Sequence, residues 1–188
     1  MPRPPILPTL DWPAIFATGL NYEQWIAAAE PAQRERMEEG RRALALEPPL
    51  EAWLGALARP VHVAAIAEDW CGDVVRHVPV LQLLADHAPR LKVRYLGREQ
   101  SREAFSRFLV NGGEAIPVFV FLNDRFVECG HWGPMPAAGK EWIARGKACG
   151  DLKTARERVA KLYEADPSRR EVIRELVRLI DIAASTTL

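Results

Sequence analysis

The residue in this chain best set to act as a nucleophile is a cysteine at the point where a buried strand gives way to a helix. It lies in the run Glu68-Asp69-Trp70-Cys71-Gly72-Asp73. Upstream, Val61 to Ala67 is apolar almost without interruption, the pattern of a strand buried on both faces. Downstream, Val75, Val78, Leu81, Leu84 and Ala85 recur at helical spacing, which predicts a helix from Cys71 to His87. Backbone N–H groups at a helix start are unpaired and point outward, and the helix dipole adds about half a positive charge there. That setting favours the thiolate, the form that attacks disulfides. Asp73 brings a carboxylate close to the same sulfur, and its charge works against the helix.

The remaining candidates are weaker. Of three cysteines, Cys129 ends an apolar segment just before Gly130, and Cys149, beside Gly150 in a helical stretch, reads as inert. An odd cysteine count argues against a disulfide framework. No Cys-x-x-Cys pair is present to found a zinc site, so neither a metal nor a resident cofactor is expected. The histidines His62, His77, His87 and His131 are scattered, and only His131, after Gly130, is placed to approach the thiol.

The elements that must position Cys71 alternate in type. After the first strand and helix, Leu91 to Leu96 reads as a second strand. Ser101 to Val110 reads as a helix capped by Ser101 and closed by Asn111-Gly112-Gly113. Val118 to Leu122 is a third strand, Asn123-Asp124 a tight turn, and Phe126 to Cys129 a fourth strand. The order β-α-β-α-β-β followed by a helix predicts an α/β sandwich with a parallel half and a closing hairpin.

Residues 1–58 are expected to form an N-terminal helical extension, 59–148 the α/β domain and 149–188 a C-terminal helical extension. In the first, Asn21 caps a segment carrying Trp25 and Ile26, and Glu30-Pro31 breaks it and starts a charged helix. Pro48-Pro49 is expected to end that helix, after which Leu50, Trp53, Leu54 and Leu57 recur at helical spacing. From Pro136 onward the pattern is helical, with Trp142 and Ile143 on one stripe and Val159 and Leu162 on another. A last helix, capped by Asp166 with Pro167 in its first position, carries Val172, Ile173, Leu176, Leu179 and Ile180. That stripe either packs on its own domain or forms a homodimer surface.

Composition narrows the function classes. The 188 residues hold 25 Lys and Arg against 25 Asp and Glu, so no overall field favours nucleic acid or an anionic membrane. No apolar run approaches the roughly 18 residues of a membrane span. Met1-Pro2-Arg3-Pro4-Pro5 has no apolar signal core behind it, so a cytoplasmic location is expected.

The middle of the chain resembles thioredoxin. Trp70-Cys71-Gly72-Asp73-Val74 stands where that family has Trp-Cys-Gly-Pro-Cys, Pro79 matches the proline inside the following helix, Ala115-Ile116-Pro117 matches the cis-proline loop, and Gly130 matches the glycine after the closing hairpin. With Gly130-His131-Trp132-Gly133-Pro134 further on, the chain is most similar to a bacterial subfamily that typically carries Glu-Asp-Trp-Cys-Gly-Asp-Cys. The resemblance implies a thioredoxin fold over roughly Arg59 to Ala148, with a cis Ile116-Pro117 bond beside Cys71. It implies Cys71 as the catalytic thiol and Trp70, Gly72, Asp73, Ile116, Pro117 and Gly130 as the residues bordering substrate. The exposed backbone of Ile116 would pair with an extended substrate.

Two departures bear on turnover. Val74 replaces the second, resolving cysteine, and Ala65 replaces the buried acid six residues before the first. Glu68, Asp69 or Asp73 would have to take over that acid's part in proton transfer. The expected activity is therefore monothiol exchange with a disulfide-bearing protein or a glutathione adduct, with weak or absent insulin reduction. Glutathione as co-substrate, another external thiol, or Cys129 as a displaced resolving thiol would release the product. The alternative is a non-catalytic binding module that holds a peptide or partner beside Ile116-Pro117. Glu68 stands where a peroxiredoxin has its hydroxyl residue, which argues against a peroxidase.

Overall fold

The computed structural model describes residues 7–110 and 112–186. Asn111, expected to help close a helix, and Met1 to Pro5 lie outside the described residues.

The chain begins with α1 (Trp12–Ala17), α2 (Tyr22–Ala28), α3 (Pro31–Arg42) and α4 (Pro48–Gly55). Their starts follow from local chemistry. Asp11 accepts the Ala14 N–H, and Asn21 and Gln24 form a reciprocal capping box at α2. Proline in the first turn opens α1, α3 and α4, where its missing N–H would have no helical partner. Pro48-Pro49 therefore starts a helix rather than ending one, because α3 has already stopped at Arg42.

The sheet consists of β1 (Val61–Ile66), β2 (Leu91–Leu96), β3 (Val118–Leu122) and β4 (Glu128–Trp132) in the order β2-β1-β3-β4. β1 and β2 are parallel and joined through α5 (Gly72–His87), while β3 runs antiparallel to both β1 and β4. This is the predicted α/β arrangement. The fourth strand starts later than its sequence suggests. The Asn123 side chain accepts the N–H groups of Arg125 and Val127, and Phe126 takes φ +59°, so Phe126 and Val127 belong to the turn. The helix expected to run to Val110 is also shorter. It comprises α6 (Arg102–Phe105) and a 3₁₀ turn to Phe108, after which Leu109 is extended and Val110 bridges to Gly113.

Three helices follow: α7 (Ala137–Cys149), α8 (Leu152–Ala165) and α9 (Arg170–Ala184). α7 and α8 pack as a hairpin so close that a Cβ on Gly146 would lie 2.4 Å from the Ala155 methyl. α9 starts at Arg170 rather than Pro167. Asp166 still does the capping, because its carboxylate accepts the N–H groups of Arg170 and Glu171 at 3.0 Å each.

Helices cover both faces of the sheet. On one face α5 and α9 pack side by side, with α3 behind α5. Val172, Leu176, Ile180 and Ala183 of α9 are buried there, so the last apolar stripe is spent in the chain's own core. α9, within residues 149–188, thus contributes directly to the sheet's packing against β1, β3 and β4. On the other face Phe16 and Phe126 pack around His62. Leu20 exchanges backbone hydrogen bonds of 2.9 and 2.8 Å with Tyr95, which covers part of the β2 edge. Among the described residues no helix is long and apolar enough to cross a membrane.

Candidate functional site

Cys71 is the N-cap of α5, extended at φ −84° and ψ 125°, with its carbonyl accepting the Val75 N–H at 3.0 Å. No side chain caps this helix, so the first N–H groups of α5 face outward without helical partners. The half-buried thiol donates to the Ile116 carbonyl at 3.4 Å. Two segments 45 residues apart in sequence thus meet at the sulfur. The Ile116–Pro117 peptide bond is cis, and Ile116 is itself buried.

A glycine is required behind that loop, and it is Gly133 rather than Gly130. Gly133 has φ +134°, and a Cβ there would sit 2.0 Å from the Pro117 carbonyl oxygen. Gly130 pairs with Phe121 in the sheet and lies beneath the Leu179 side chain. The usable signal was the Gly133-Pro134 pair straight after the last strand.

The acids around the thiol are engaged differently. Glu68 accepts the Arg98 N–H at 2.9 Å, and Asp69 accepts the Glu30 N–H at 2.6 Å, so both hold loops together. Ala65 is fully buried and leaves the sheet beneath the site without an acid. Asp73, with Glu39 from α3, shares a cavity with the sulfur. Burial raises the titration of Asp73 above the usual carboxylate range, against the opposing pull of the Tyr163 hydroxyl and Arg76.

Asp73 is held by a chain of contacts from remote helices. The Tyr163 hydroxyl on α8 donates to Asp73 Oδ1 at 3.3 Å and lies 3.3 Å from His77 Nε2 on α5. One hydroxyl proton cannot serve both, so His77 donates to Tyr163 as its neutral Nε2–H form. Burial first, then the positive charges of Arg76 and Arg169, pushes His77 down to about 3. Burial and the Asp73 carboxylate push the Tyr163 hydroxyl above its ordinary range. Arg76 lies over the Tyr163 ring, 4.2 Å from its centre.

Trp70 flanks the thiol in an exposed position, its surface 61% accessible, with the Arg98 guanidinium 5.1 Å from its ring centre. Val74 points into the core with no exposure. Cys129 is absent from this constellation. Ile66 of β1 pairs with Val118, at the end of β3 nearest Cys71, whereas Glu128 pairs with Leu122 at the other end. Four residues of strand separate those ends by roughly 13 Å, and a disulfide needs Cα atoms within about 7 Å. Cys129 donates to the Val127 carbonyl instead, at 3.3 Å, and burial raises its thiol. His131 packs on Phe108, and Trp132 is buried with its Nε1–H on Glu175, so neither reaches the sulfur. Among the described residues no three His, Cys, Asp or Glu side chains converge as metal ligands.

Cys71 stands between two grooves. One, of about 690 Å³, lies toward α3 and is lined by Arg36, Glu39, Asp73, Arg76, Tyr163 and Arg169. The other, of about 730 Å³, lies toward the α7–α8 hairpin, where Trp70, Ile116, Pro134, Met135, Ile143 and Val159 form its apolar wall. A thiol at a helix start with a groove on either side can accept a disulfide and hold what remains bound to it.

Comparison with known proteins agrees with this geometry. The thioredoxin family model matches residues 19–164. No curated protein matches the chain. Among solved structures, a protein of unknown function from Pseudomonas aeruginosa superposes with a TM-score of 0.71 at 15% identity, covering 92% of this chain and 98% of that one. An HIV epitope-scaffold superposes with the same TM-score, identity and coverage. At that identity the likeness speaks for the fold alone.

Proposed function

The chain belongs to the thioredoxin family, and from that premise we propose that it exchanges thiols and disulfides through Cys71 alone. The Cys71 thiolate attacks one sulfur of a substrate disulfide, forms a mixed disulfide with that half and releases the other half as a thiolate. Val74 offers no second sulfur and Cys129 is out of reach, so an external thiol must complete the cycle. Its thiolate attacks the mixed disulfide, forms a new disulfide with the bound half and returns Cys71 to its reduced form. Glutathione has the required chemistry, and a reducing compartment such as the cytoplasm would supply it.

The observation that supports this reading is the position of the sulfur: at the uncapped start of α5, half-exposed, against the Ile116 carbonyl. The test is to treat the reduced chain with glutathione disulfide and map adducts by peptide mass. The expected result is one glutathionyl group on Cys71, removed by added glutathione and absent from Cys71→Ser. Adducts confined to Cys129 and Cys149 would overturn it.

The apolar groove beside Trp70 and Ile116 favours a second reading, in which the fold holds an extended peptide without turning it over. Peptide binding undiminished in Cys71→Ser, with no Cys71 adduct in the native chain, would support that reading over exchange.

A further inference from the structure

Three guanidiniums gather in the groove on the α3 side of Cys71, more positive charge than the two carboxylates there offset. Arg36 reaches it from α3, Arg76 from α5, and Arg169 from the turn before α9. Among the described residues none of the three has a carboxylate within ion-pair distance. Arg36 meets only the neutral Gln33 amide, at 3.2 Å, and Arg169 spends one N–H on the Arg76 carbonyl. Burial, and then the like charge of Arg76, push Arg169 below the ordinary arginine range. The uncapped N–H groups of α5 open on the same side as Cys71 and Gly72. Two carboxylates face the groove. Asp73 is occupied by Tyr163, whereas Glu39 makes no ion pair among the described residues.

We propose that this groove binds the carboxylates of a small amino-acid-bearing thiol or disulfide, placing its sulfur at Cys71. Three guanidiniums and a helix start match two carboxylates, Glu39 matches an ammonium, and the thiol faces the ligand's sulfur. A cavity of about 690 Å³ suits a molecule of a few residues. The proposal rests on Cys71 as the attacking thiol and adds what selects the partner: the clustered guanidiniums of this groove rather than the groove on the other side, where Lys140, Lys147 and Arg156 stand among mainly apolar walls.

Two measurements on the full chain test it. The first is calorimetric binding of S-methylglutathione, which has the charges of glutathione and no free thiol. Binding is expected, weakened about tenfold in Arg36→Gln, unchanged in Arg125→Gln at the far hairpin, and reduced by added salt. Arg36 is exposed on α3, so its replacement leaves the core intact. No binding at millimolar concentration, or equal binding in Arg36→Gln, overturns the proposal. The second compares adduct formation at Cys71 by glutathione disulfide and by the uncharged bis(2-hydroxyethyl) disulfide. A preference for glutathione disulfide that shrinks in Arg36→Gln supports the groove. Equal rates with both disulfides keep the exchange reading and sink the groove. Binding of S-methylglutathione with no adduct from either disulfide does the reverse.

Discussion

Replacing His77 should change how the protein's stability responds to acid. The ring is nearly inaccessible, its Nδ1 has no hydrogen-bond partner among the described residues, and burial together with Arg76 and Arg169 holds its titration at about 3. In the unfolded chain the same ring titrates near 6.5. Between those values the unfolded state binds a proton that the native state refuses, so stability falls as pH falls. Above 6.5 the contribution is complete, and below it each pH unit costs about 1.4 kcal/mol. From pH 7 to pH 5 that amounts to about 2 kcal/mol, or a fall of roughly 4–8 °C in the melting temperature of a domain this size. Asp73 acts with the opposite sign, because its raised carboxyl holds a proton more readily in the native state. The clean quantity is therefore the difference between the native chain and His77→Gln, measured by urea unfolding at both pH values with tryptophan fluorescence. The loss between pH 7 and 5 should be about 2 kcal/mol smaller in the variant. Equal losses in both chains would show that His77 is not held neutral, and the His77–Tyr163–Asp73 chain would have to be redrawn.

Two further substitutions probe the site's framework and its charge. Gly133→Ala forces a Cβ to within 2.0 Å of the Pro117 oxygen at a φ of +134°, and neither backbone segment can yield, so about 3 kcal/mol or more should be lost. Gly72→Ala, with nothing within 4 Å of its Cβ, should melt at or above the native temperature, and equal melting of the two variants would refute the contact argument. Asp73→Asn removes the negative charge that opposes the start of α5, so iodoacetamide should alkylate Cys71 about two- to fivefold faster at pH 7. A slower reaction would mean that Asp73 assists the thiol's proton transfer instead.

What could be read from the sequence was local. The apolar run Val61 to Ala67, the periodic helix after Cys71 and the strand Val118 to Leu122 each state their type within a few residues, and the sheet follows from their order. The Asn21 cap was legible for the same reason. Strand β4 was displaced because its start is set by the Asn123 side chain and the positive φ of Phe126, neither visible in an alternation pattern. Gly130 drew attention as the match to the family's glycine after the closing hairpin. The need for glycine at 133 arises only when β4 meets Pro117 across the sheet. Cys129 looked like a partner for Cys71 until register put them at opposite ends of β3.

Tyr163 and Arg169 were illegible for a deeper reason. An amphipathic pattern tells which residues of a helix face inward and says nothing about which neighbour they meet. Both belong to residues 149–188, which read as an appendage. Yet α9 lies against the sheet beside α5, and the turn before it brings Arg169 to the Arg76 carbonyl, while α8 brings Tyr163 to Asp73. Two groups on which a thioredoxin-type site would rely are gone from the central segment, at Val74 and Ala65. Beside Asp73 and Arg76 of that segment, the groups that line the groove at the remaining sulfur include Arg36, Tyr163 and Arg169, from α3, α8 and the α8–α9 turn. A site rebuilt in this way need not act on the same partners as one with both cysteines. Its selectivity would reside in the arginines and carboxyls that α5 and the flanking helices bring to Cys71, with the thiol supplying only the reaction.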